Sequence, residues 1–179
     1  MDKVFAPWRI EWVEREETNP DADCVFCAFR EDDDDRANNL VARSDRAFVL
    51  LNNYPYNPGH AMVIPHDHTG EYGDLDDETL LDHARLKQRT FDALEAALGP
   101  DAFNAGLNLG GSAAGGSIDD HLHTHVVPRW EGDTNFMPVV SDTKVVVEAV
   151  EDTYDRLHEA FAEQAGTTVV GDDAAVRID

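Results

Sequence analysis

The sequence has few of the features that mark secreted, membrane or nucleic-acid-binding proteins. Only two of its 179 residues are cysteines, which excludes a disulfide-rich scaffold. No run of residues approaches the ~20 apolar side chains of a membrane-spanning helix. Residues 1–17 carry acidic side chains and no smooth apolar run, so they do not read as a signal peptide. These absences predict a soluble, cytoplasmic protein.

Basic residues are also scarce. Asp and Glu number 37 against 14 for Lys and Arg, the formal net charge is -23, and lysine occurs only at Lys3, Lys87 and Lys144. A field of this sign disfavours binding to a nucleic-acid backbone. The excess of Asp over Lys favours adaptation to very high salt, where the screening length falls to roughly 3 Å at 1 M. The alternative is an acidic protein of ordinary salt with a disordered tail.

The chain is long enough for one domain with a substantial core, because 42% of it is apolar. We expect a single domain over residues 1–166. Residues 167–179 are small and acidic, and we expect them to form a loose tail.

The hydrophobic pattern predicts an α+β fold. Residues 46–52 and 60–65 read as neighbouring antiparallel strands around a turn-rich segment, and strands are also expected at 103–109 and 121–128. One helix should begin at Asp76 or Asp77 and end near Leu98, before Gly-Pro. The final helix is predicted from a 3-4-3-4 spacing of Val147, Val150, Tyr154, Leu157 and Phe161. The expected architecture is an antiparallel sheet of about five strands with two helices.

Three of the eight histidines fall within five residues, at His121, His123 and His125. On a strand these side chains would share one face, spaced roughly 7 Å apart. A row of imidazoles is costly to bury without partners, so it usually faces a metal, a phosphate or a substrate.

A glycine-rich loop, residues 110–117, comes directly before the histidines. Its glycines allow backbone N–H groups to approach an anion closely, and Ser112 and Ser117 add hydroxyl donors. The loop followed by the histidine segment therefore indicates a phosphate site better than either feature does alone.

Cys24 and Cys27 form a CxxC motif, which in a cytosolic chain indicates redox chemistry or metal binding. No strand-to-helix context of the thioredoxin kind precedes it, and there is no second CxxC. A zinc site would therefore need His or carboxylate ligands as well, and a closed Cys₂His₂ site would be structural. Unligated thiols remain the alternative; the candidate histidines are His60, His66, His68, His83 and one of the three at 121–125.

The His-x-His-x-His pattern followed by two apolar residues resembles the histidine triad (HIT) family of nucleotide hydrolases and transferases. Other segments agree with a branch that includes diadenosine-polyphosphate (Ap4A) phosphorylases and hydrolases. They cover residues from about 5 to 160: APWRI at 6–10, CVFC at 24–27, NNYPYNPGH at 52–60, VIP at 63–65, NLG at 108–110, GS at 116–117 and PRW at 128–130. The resemblance implies a HIT-like fold that dimerises and a covalent nucleotidyl-histidine intermediate.

The resemblance also implies roles for individual residues. His123 matches the nucleophile that attacks the α-phosphorus, and His125 matches the histidine that bonds the α-phosphate and assists the leaving group. In several hydrolases of the family a glutamine stands at the position of Ser117, which bears on how the bridging oxygen is protonated. The implied substrate-binding residues are Asn52 near the ribose, His60 near the triad, and Asn108, Gly116 and Ser117 along the phosphate path.

Zinc-bearing members of the family imply a metal site here at Cys24, Cys27, His68 and His121, with His66 as the rival of His68. Such zinc would be structural and would orient the segment that carries His123. A closed four-ligand site leaves no position for an activated water.

The sequence thus predicts a nucleotidyl transferase or hydrolase acting on purine dinucleoside polyphosphates or nucleotide phosphoesters. Residues 128–130 and 135–137 resemble the phosphorylase branch of the family more closely, and this resemblance slightly favours phosphorolysis. One alternative is a zinc hydrolase in which His121, His123 and His125 are the ligands; another is a non-catalytic nucleotide sensor. The expected partners are a small nucleotide substrate and a second copy of the chain, with no nucleic acid and no membrane.

Overall fold

A computed structural model describes residues 24–114, 118, 120–133 and 149–179. Within these ranges the chain forms a seven-stranded sheet in the order β4-β5-β3-β2-β1-β7-β6 and three α-helices. The strands are β1 Leu40–Arg43, β2 Ala47–Leu51, β3 Ala61–Pro65, β4 Ala102–Gly106, β5 Thr124–Arg129, β6 Thr167–Thr168 and β7 Val176–Ile178. The helices are α1 Val25–Glu31, α2 Asp77–Leu98 and α3 Val150–Ala162.

The predicted central hairpin is confirmed. β2 and β3 pair antiparallel from Ala47↔Pro65 to Leu51↔Ala61, because both runs are apolar enough to be buried on both faces.

The helix predicted after Asp76 is also confirmed. The Asp76 carboxylate accepts a hydrogen bond from the Thr79 N–H at 2.7 Å, and Gly99 ends the helix with a left-handed φ of 57°. Neither α2 nor any other helix in the described ranges is long and apolar enough to cross a membrane.

The sequence predicted about five antiparallel strands and two helices, but the described residues form seven strands and three helices. The sheet is mixed, since β7 pairs parallel with β1 through Ala42↔Val176 and Arg43↔Arg177. The short strands β1, β6 and β7 and the seven-residue helix α1 carry too few periodic apolar positions to be recognised from the sequence.

The segment expected to be a loose tail contributes strands β6 and β7 to the sheet. Ala175 and Val176 are buried, and the Ala175 N–H donates to an Asp35 carboxylate oxygen at 2.8 Å. That carboxylate also pairs with Arg43 at 2.5 Å, with both side chains nearly buried. Burial of two small apolar residues, Ala175 and Val176, thus helps to hold this acidic segment at one edge of the sheet.

The sheet has a different core on each face. α2 and α3 cover one face, where Val49, Val63 and Val126 are fully buried. α1 covers part of the other face, where Phe26 packs with residues such as Leu50 and Met62. Because side chains alternate along β5, the two faces divide its residues between two environments.

Candidate functional site

The sequence predicted that the three clustered histidines lie on one strand, and this prediction is wrong. β5 begins at Thr124, so His121 and His123 precede it. The Leu122 N–H bonds the Thr69 carbonyl at 2.8 Å instead of β3, and the His121 ring bonds the Pro65 carbonyl at 2.9 Å. These bonds draw the segment away from the ladder. His121 therefore separates from the pair formed by His123 and His125, whose ring centroids are 5.0 Å apart.

His123 is held with one ring nitrogen available for chemistry. Its Nδ1 lies 2.9 Å from the backbone carbonyl of His121. A carbonyl oxygen only accepts, so Nδ1 carries the proton and Nε2 of the neutral ring keeps its lone pair. Burial lowers the pKa of His123, against a smaller opposing effect of the bond to His121. The side chain is 8% exposed.

His125 has the opposite protonation pattern. The Tyr56 backbone N–H donates to Nδ1 of His60 at 3.1 Å, so the His60 proton lies on Nε2. That Nε2 is 2.9 Å from Nδ1 of His125 and donates to it. The neutral His125 ring therefore carries its proton on Nε2. The pair thus combines a nucleophilic nitrogen on His123 with an N–H donor on His125.

Two of the remaining predicted substrate residues, Asn52 and Asn108, lie in described segments that follow strands β2 and β4. The Asn52 N–H donates to the His60 carbonyl at 2.9 Å, at the end of the β2–β3 ladder. Gly106 of β4 pairs with His125, and half-buried Asn108 follows two residues later in the chain. Gly116 and Ser117 lie outside the described residues.

Cys24, Cys27, His68 and His121 form a second cluster next to the pair. Their ligand atoms all lie within 4.8 Å of one another. Nδ1 of His121 is 3.3 Å from the Cys24 sulfur and 3.7 Å from the Cys27 sulfur, and Nδ1 of His68 is 3.3 Å from the Cys27 sulfur. Tetrahedral zinc with Zn–S of ~2.3 Å and Zn–N of ~2.1 Å brings its ligand atoms to similar separations.

The protonation of His121 also fits a metal ligand. Its Nε2 donates to the Pro65 carbonyl, which leaves the Nδ1 lone pair directed at the two sulfurs. Two thiols and two imidazoles are the donor set that zinc prefers. The cluster thus suits a closed structural zinc site.

The other histidine candidates for this cluster lie elsewhere. His66, the rival of His68, stacks on Phe48 with ring centroids 6.0 Å apart. His60 bonds His125, and His83 lies under the sheet on α2. The structure therefore brings His68 to the cysteines rather than His66.

Phe26, inside the CxxC motif, connects the two clusters and was not recognised from the sequence. Its buried ring lies 5.5 Å from the His121 ring and 5.3 Å from the His123 ring, between centroids. The position of Phe26 between the two cysteines could have indicated this contact with the histidine rings. A turn whose cysteines bind a metal must face the histidines that complete the metal site.

A polar network at the far end of β5 was also not recognised. The Asn57 amide donates to the Pro128 carbonyl at 2.9 Å and to the Asp133 carboxylate at 2.8 Å. Arg129 donates twice to the same carboxylate, at 2.6 and 2.9 Å. These bonds lower the pKa of Asp133 to about 2, the Arg129 bond most. The network fastens the loop before His60 to the end of β5.

Comparisons with known proteins bear on this arrangement. Residues 34–132 match the family model described as HIT domain. The chain is 42% identical over 125 residues to an AP-4-A phosphorylase of Mycobacterium tuberculosis. The matched residues make up 70% of this chain. The chain spans only 64% of that relative's length.

Two further relatives are informative. An adenosine 5'-monophosphoramidase of Schizosaccharomyces pombe is 29% identical over 106 residues, covering 59% of this chain and 74% of that protein. A Zn-bound histidine triad family protein from Mycobacterium smegmatis has a similar structure, with a TM-score of 0.63 and 29% identity over 79% of this chain and 94% of that chain.

Proposed function

This chain belongs to the HIT family, and on that basis we propose that it is a nucleotidyl transferase or hydrolase with a covalent nucleotidyl-histidine intermediate. Its substrates are purine dinucleoside polyphosphates or related nucleotide phosphoesters. The observation that carries the proposal is the complementary protonation of His123 and His125, set by the His121 carbonyl on one side and by His60 on the other.

In the first step Nε2 of His123 attacks the α-phosphorus. A nitrogen–phosphorus bond forms, and the bond between phosphorus and the leaving-group oxygen breaks. The Nε2–H of neutral His125 donates a hydrogen bond to the α-phosphate and assists the leaving group, which departs as a polyphosphate anion while the adduct ring of His123 carries the positive charge. Imidazole suits this role because its neutral form is abundant near pH 7 and its phosphorus adduct is labile.

In the second step an acceptor attacks the same phosphorus, and the nitrogen–phosphorus bond breaks. His123 leaves as the neutral imidazole with its proton still on Nδ1, and the proton of a water acceptor passes to solvent or to the product phosphate. Water as acceptor makes the protein a hydrolase, and inorganic phosphate makes it a phosphorylase. Similarity to the mycobacterial AP-4-A phosphorylase favours phosphorolysis.

The surrounding residues would hold the substrate. Asn52, fixed to the His60 backbone, would face the ribose. Asn108 would line the phosphate path together with Gly116 and Ser117. His60 would fix the protonation of His125, in addition to the substrate contact that the resemblance implies.

We further propose that Cys24, Cys27, His68 and His121 bind a structural zinc ion. Bound zinc would hold both sulfurs as thiolates and fasten α1 to the segment before β5. The proposed order of events requires no water on the metal, since all four positions are taken by side chains.

The zinc-hydrolase alternative fits the geometry poorly. Three-histidine coordination needs one free lone pair from each ring converging on one point. Nδ1 of His121 faces the sulfurs instead, and Nδ1 of His125 accepts from His60.

The proposed homodimer is supported by β4, which is an edge strand of the sheet formed by the described residues and has four of its five residues exposed. An open sheet edge is a template for pairing with a second chain. The net charge of -23 supports the further proposal that the protein works at high salt.

Intact-protein mass spectrometry tests the reaction. Wild type is mixed with diadenosine tetraphosphate, with and without inorganic phosphate, beside His123→Ala and the distant control His158→Gln. A transient adenylyl adduct is expected on wild type and His158→Gln, and none on His123→Ala. Nucleoside diphosphate formed only with phosphate identifies a phosphorylase, and monophosphate formed without it a hydrolase. Undiminished turnover by His123→Ala would contradict the mechanism.

A further inference from the structure

His83 is a buried histidine that neither the proposed reaction nor the metal cluster uses. It lies on α2, is 2% exposed, and meets the sheet on the face opposite α1. Its Nε2 is 3.3 Å from the Val63 carbonyl and 3.2 Å from the Thr124 hydroxyl oxygen. A buried polar side chain with two specific contacts calls for an explanation.

The direction of these bonds follows from their partners. The Val63 carbonyl has no proton to give, so Nε2 of His83 donates. Burial lowers the pKa of His83, which keeps the ring neutral with a single N–H. Two acceptors at similar, slightly long distances indicate that this one N–H is shared between both.

The two acceptors belong to different strands at a critical rung. Val63 of β3 pairs with Thr124 of β5, and Thr124 is the first residue of that strand. The chain before Thr124 turns away toward the metal cluster. His83 therefore ties α2 to both strands at the point where β5 joins the ladder.

Thr124 is also the residue between His123 and His125. Its side chain points to the α2 face, while the two imidazoles point to the face covered by α1. The proposed nucleophile and the N–H that bonds the phosphate are thus joined by one residue, Thr124, whose side chain is held from the α2 face. A displacement of about 1 Å in reacting groups can cost about a hundredfold in rate.

We propose that His83 is a positioning residue, which sets the spacing of His123 and His125 through its shared hydrogen bond to Thr124 and Val63. The proposal rests on the proposed nucleotidyl transfer by His123. His83 on α2 would then influence the reaction without contacting the substrate.

The test is a matched series of variants of the full chain. Thr124→Val keeps the shape but removes the acceptor, and Thr124→Ser restores it. His83→Leu removes the donor, and His83→Gln returns an N–H near the position of Nε2. Thr90→Val is the control, because buried Thr90 on α2 bonds only the Leu86 carbonyl of its own helix.

The rate of adenylyl-adduct formation from diadenosine tetraphosphate is measured in single turnovers. We expect a loss of about tenfold in Thr124→Val and His83→Leu with KM changed less than about twofold, and recovery to within about threefold in the Ser and Gln variants. Equal rates for Thr124→Val and Thr90→Val would overturn the proposal.

A second readout does not depend on activity. Nitrogen-15 spectra of the histidine rings report the proton positions of His83, His123 and His125. In Thr124→Val the ring signals of His123 and His125 should move, whereas in Thr90→Val they should stay. Unmoved signals in Thr124→Val overturn the positioning role; a wild-type protein that forms no adduct, with signals that move as expected, contradicts only the nucleotidyl transfer.

Discussion

At the scale of single residues, three neighbouring histidines have three different environments. His121 donates from Nε2 to a carbonyl, His123 donates from Nδ1 to another, and His125 accepts at Nδ1 from a fourth histidine. The residue type is the same at each position. What differs is the backbone or side-chain group that each ring meets, and this decides which nitrogen carries the proton and which keeps its lone pair.

This detail could not be predicted from the sequence. The His-x-His-x-His spacing indicated a reactive cluster, but the protonation of His121 and His125 depends on Pro65 and His60, which are distant in the chain. That of His123 depends on the backbone conformation before β5, which places the His121 carbonyl at Nδ1. The role of His83 likewise depends on packing between α2 and two strands.

Gly59 is a residue whose replacement should be costly. It has a φ of +75°, and a Cβ there would overlap the Leu98 side chain and come within 3.1 Å of Leu94. We expect Gly59→Ala to lower the free energy of unfolding by about 3 kcal/mol, from backbone strain and overpacking together. Urea denaturation measures this.

The control for that variant is Gly99→Ala. Gly99 has a φ of +57°, but a Cβ added there would meet nothing within 4 Å, so only the strain of about 1 kcal/mol applies. Equal losses of unfolding free energy in the two variants would show that the overlap with the Leu98 side chain does not destabilise Gly59→Ala.

Asp133 should contribute stability that depends on pH. Its folded pKa of about 2 lies below the ordinary value of 3.8, chiefly because of Arg129. The contribution is therefore fully present above pH 3.8 and is lost as the pH falls through about 2. We expect Asp133→Asn to cost about 1–2 kcal/mol at pH 7, since Arg129 is partly exposed, and less at pH 3. Urea denaturation at the two pH values measures the difference; a cost independent of pH would contradict the assignment.

At the scale of elements, the long and periodic segments were predictable. The β2–β3 hairpin has a continuous apolar pattern on each side of a turn-rich loop, and α2 has an Asp cap and a Gly-Pro stop. α1 and β7 were not predictable, because they are short and held by partners far along the chain. β7 depends on Asp35 and on pairing with β1, and α1 on the histidines that its two cysteines meet.

The metal cluster was predicted as a set from the family resemblance. Spacing alone left seven histidines open as ligands, because the distance between a CxxC motif and a histidine 41 residues later is set by the fold. The choice of His68 over His66 follows from where the chain leaves β3.

Removal of the proposed zinc ion should loosen α1 before it affects the chemistry. Zinc present at ~1,000 times its Kd adds about 4 kcal/mol of stability, so chelation should lower Tm by about 10 °C. Turnover should decline only as the protein loosens. Differential scanning fluorimetry and an activity time course measure the two effects.

Cys27→Ser is the control for chelation, since it should already show the lowered Tm and lose little more with chelator. Immediate loss of turnover on chelation at unchanged Tm would instead support catalytic zinc held by the triad.

At the scale of the whole molecule, the charge of -23 opposes compaction. Raising KCl from 0.1 to 2 M reduces the screening length from about 10 Å to below 3 Å. We therefore expect Tm to rise steeply with KCl at pH 7. The rise in Tm should be smaller at pH 4.5, because this pH is close to the ordinary pKa values of carboxylates and part of the negative charge is lost. A Tm that falls or stays constant with KCl at pH 7 would rule out this account.

The two borders of the sheet differ in length. β6, at one border, has two residues, whereas β4, at the other, has five. Two copies joined through β4 by a two-fold axis would use the longer border of each, and each outer border would then be only two residues long. Growth into a filament needs a second adhesive border of comparable length. If the proposed dimer pairs through β4, the two-residue strand β6 offers too short a border for a third copy, and we expect self-association to stop at a pair even at high protein concentration.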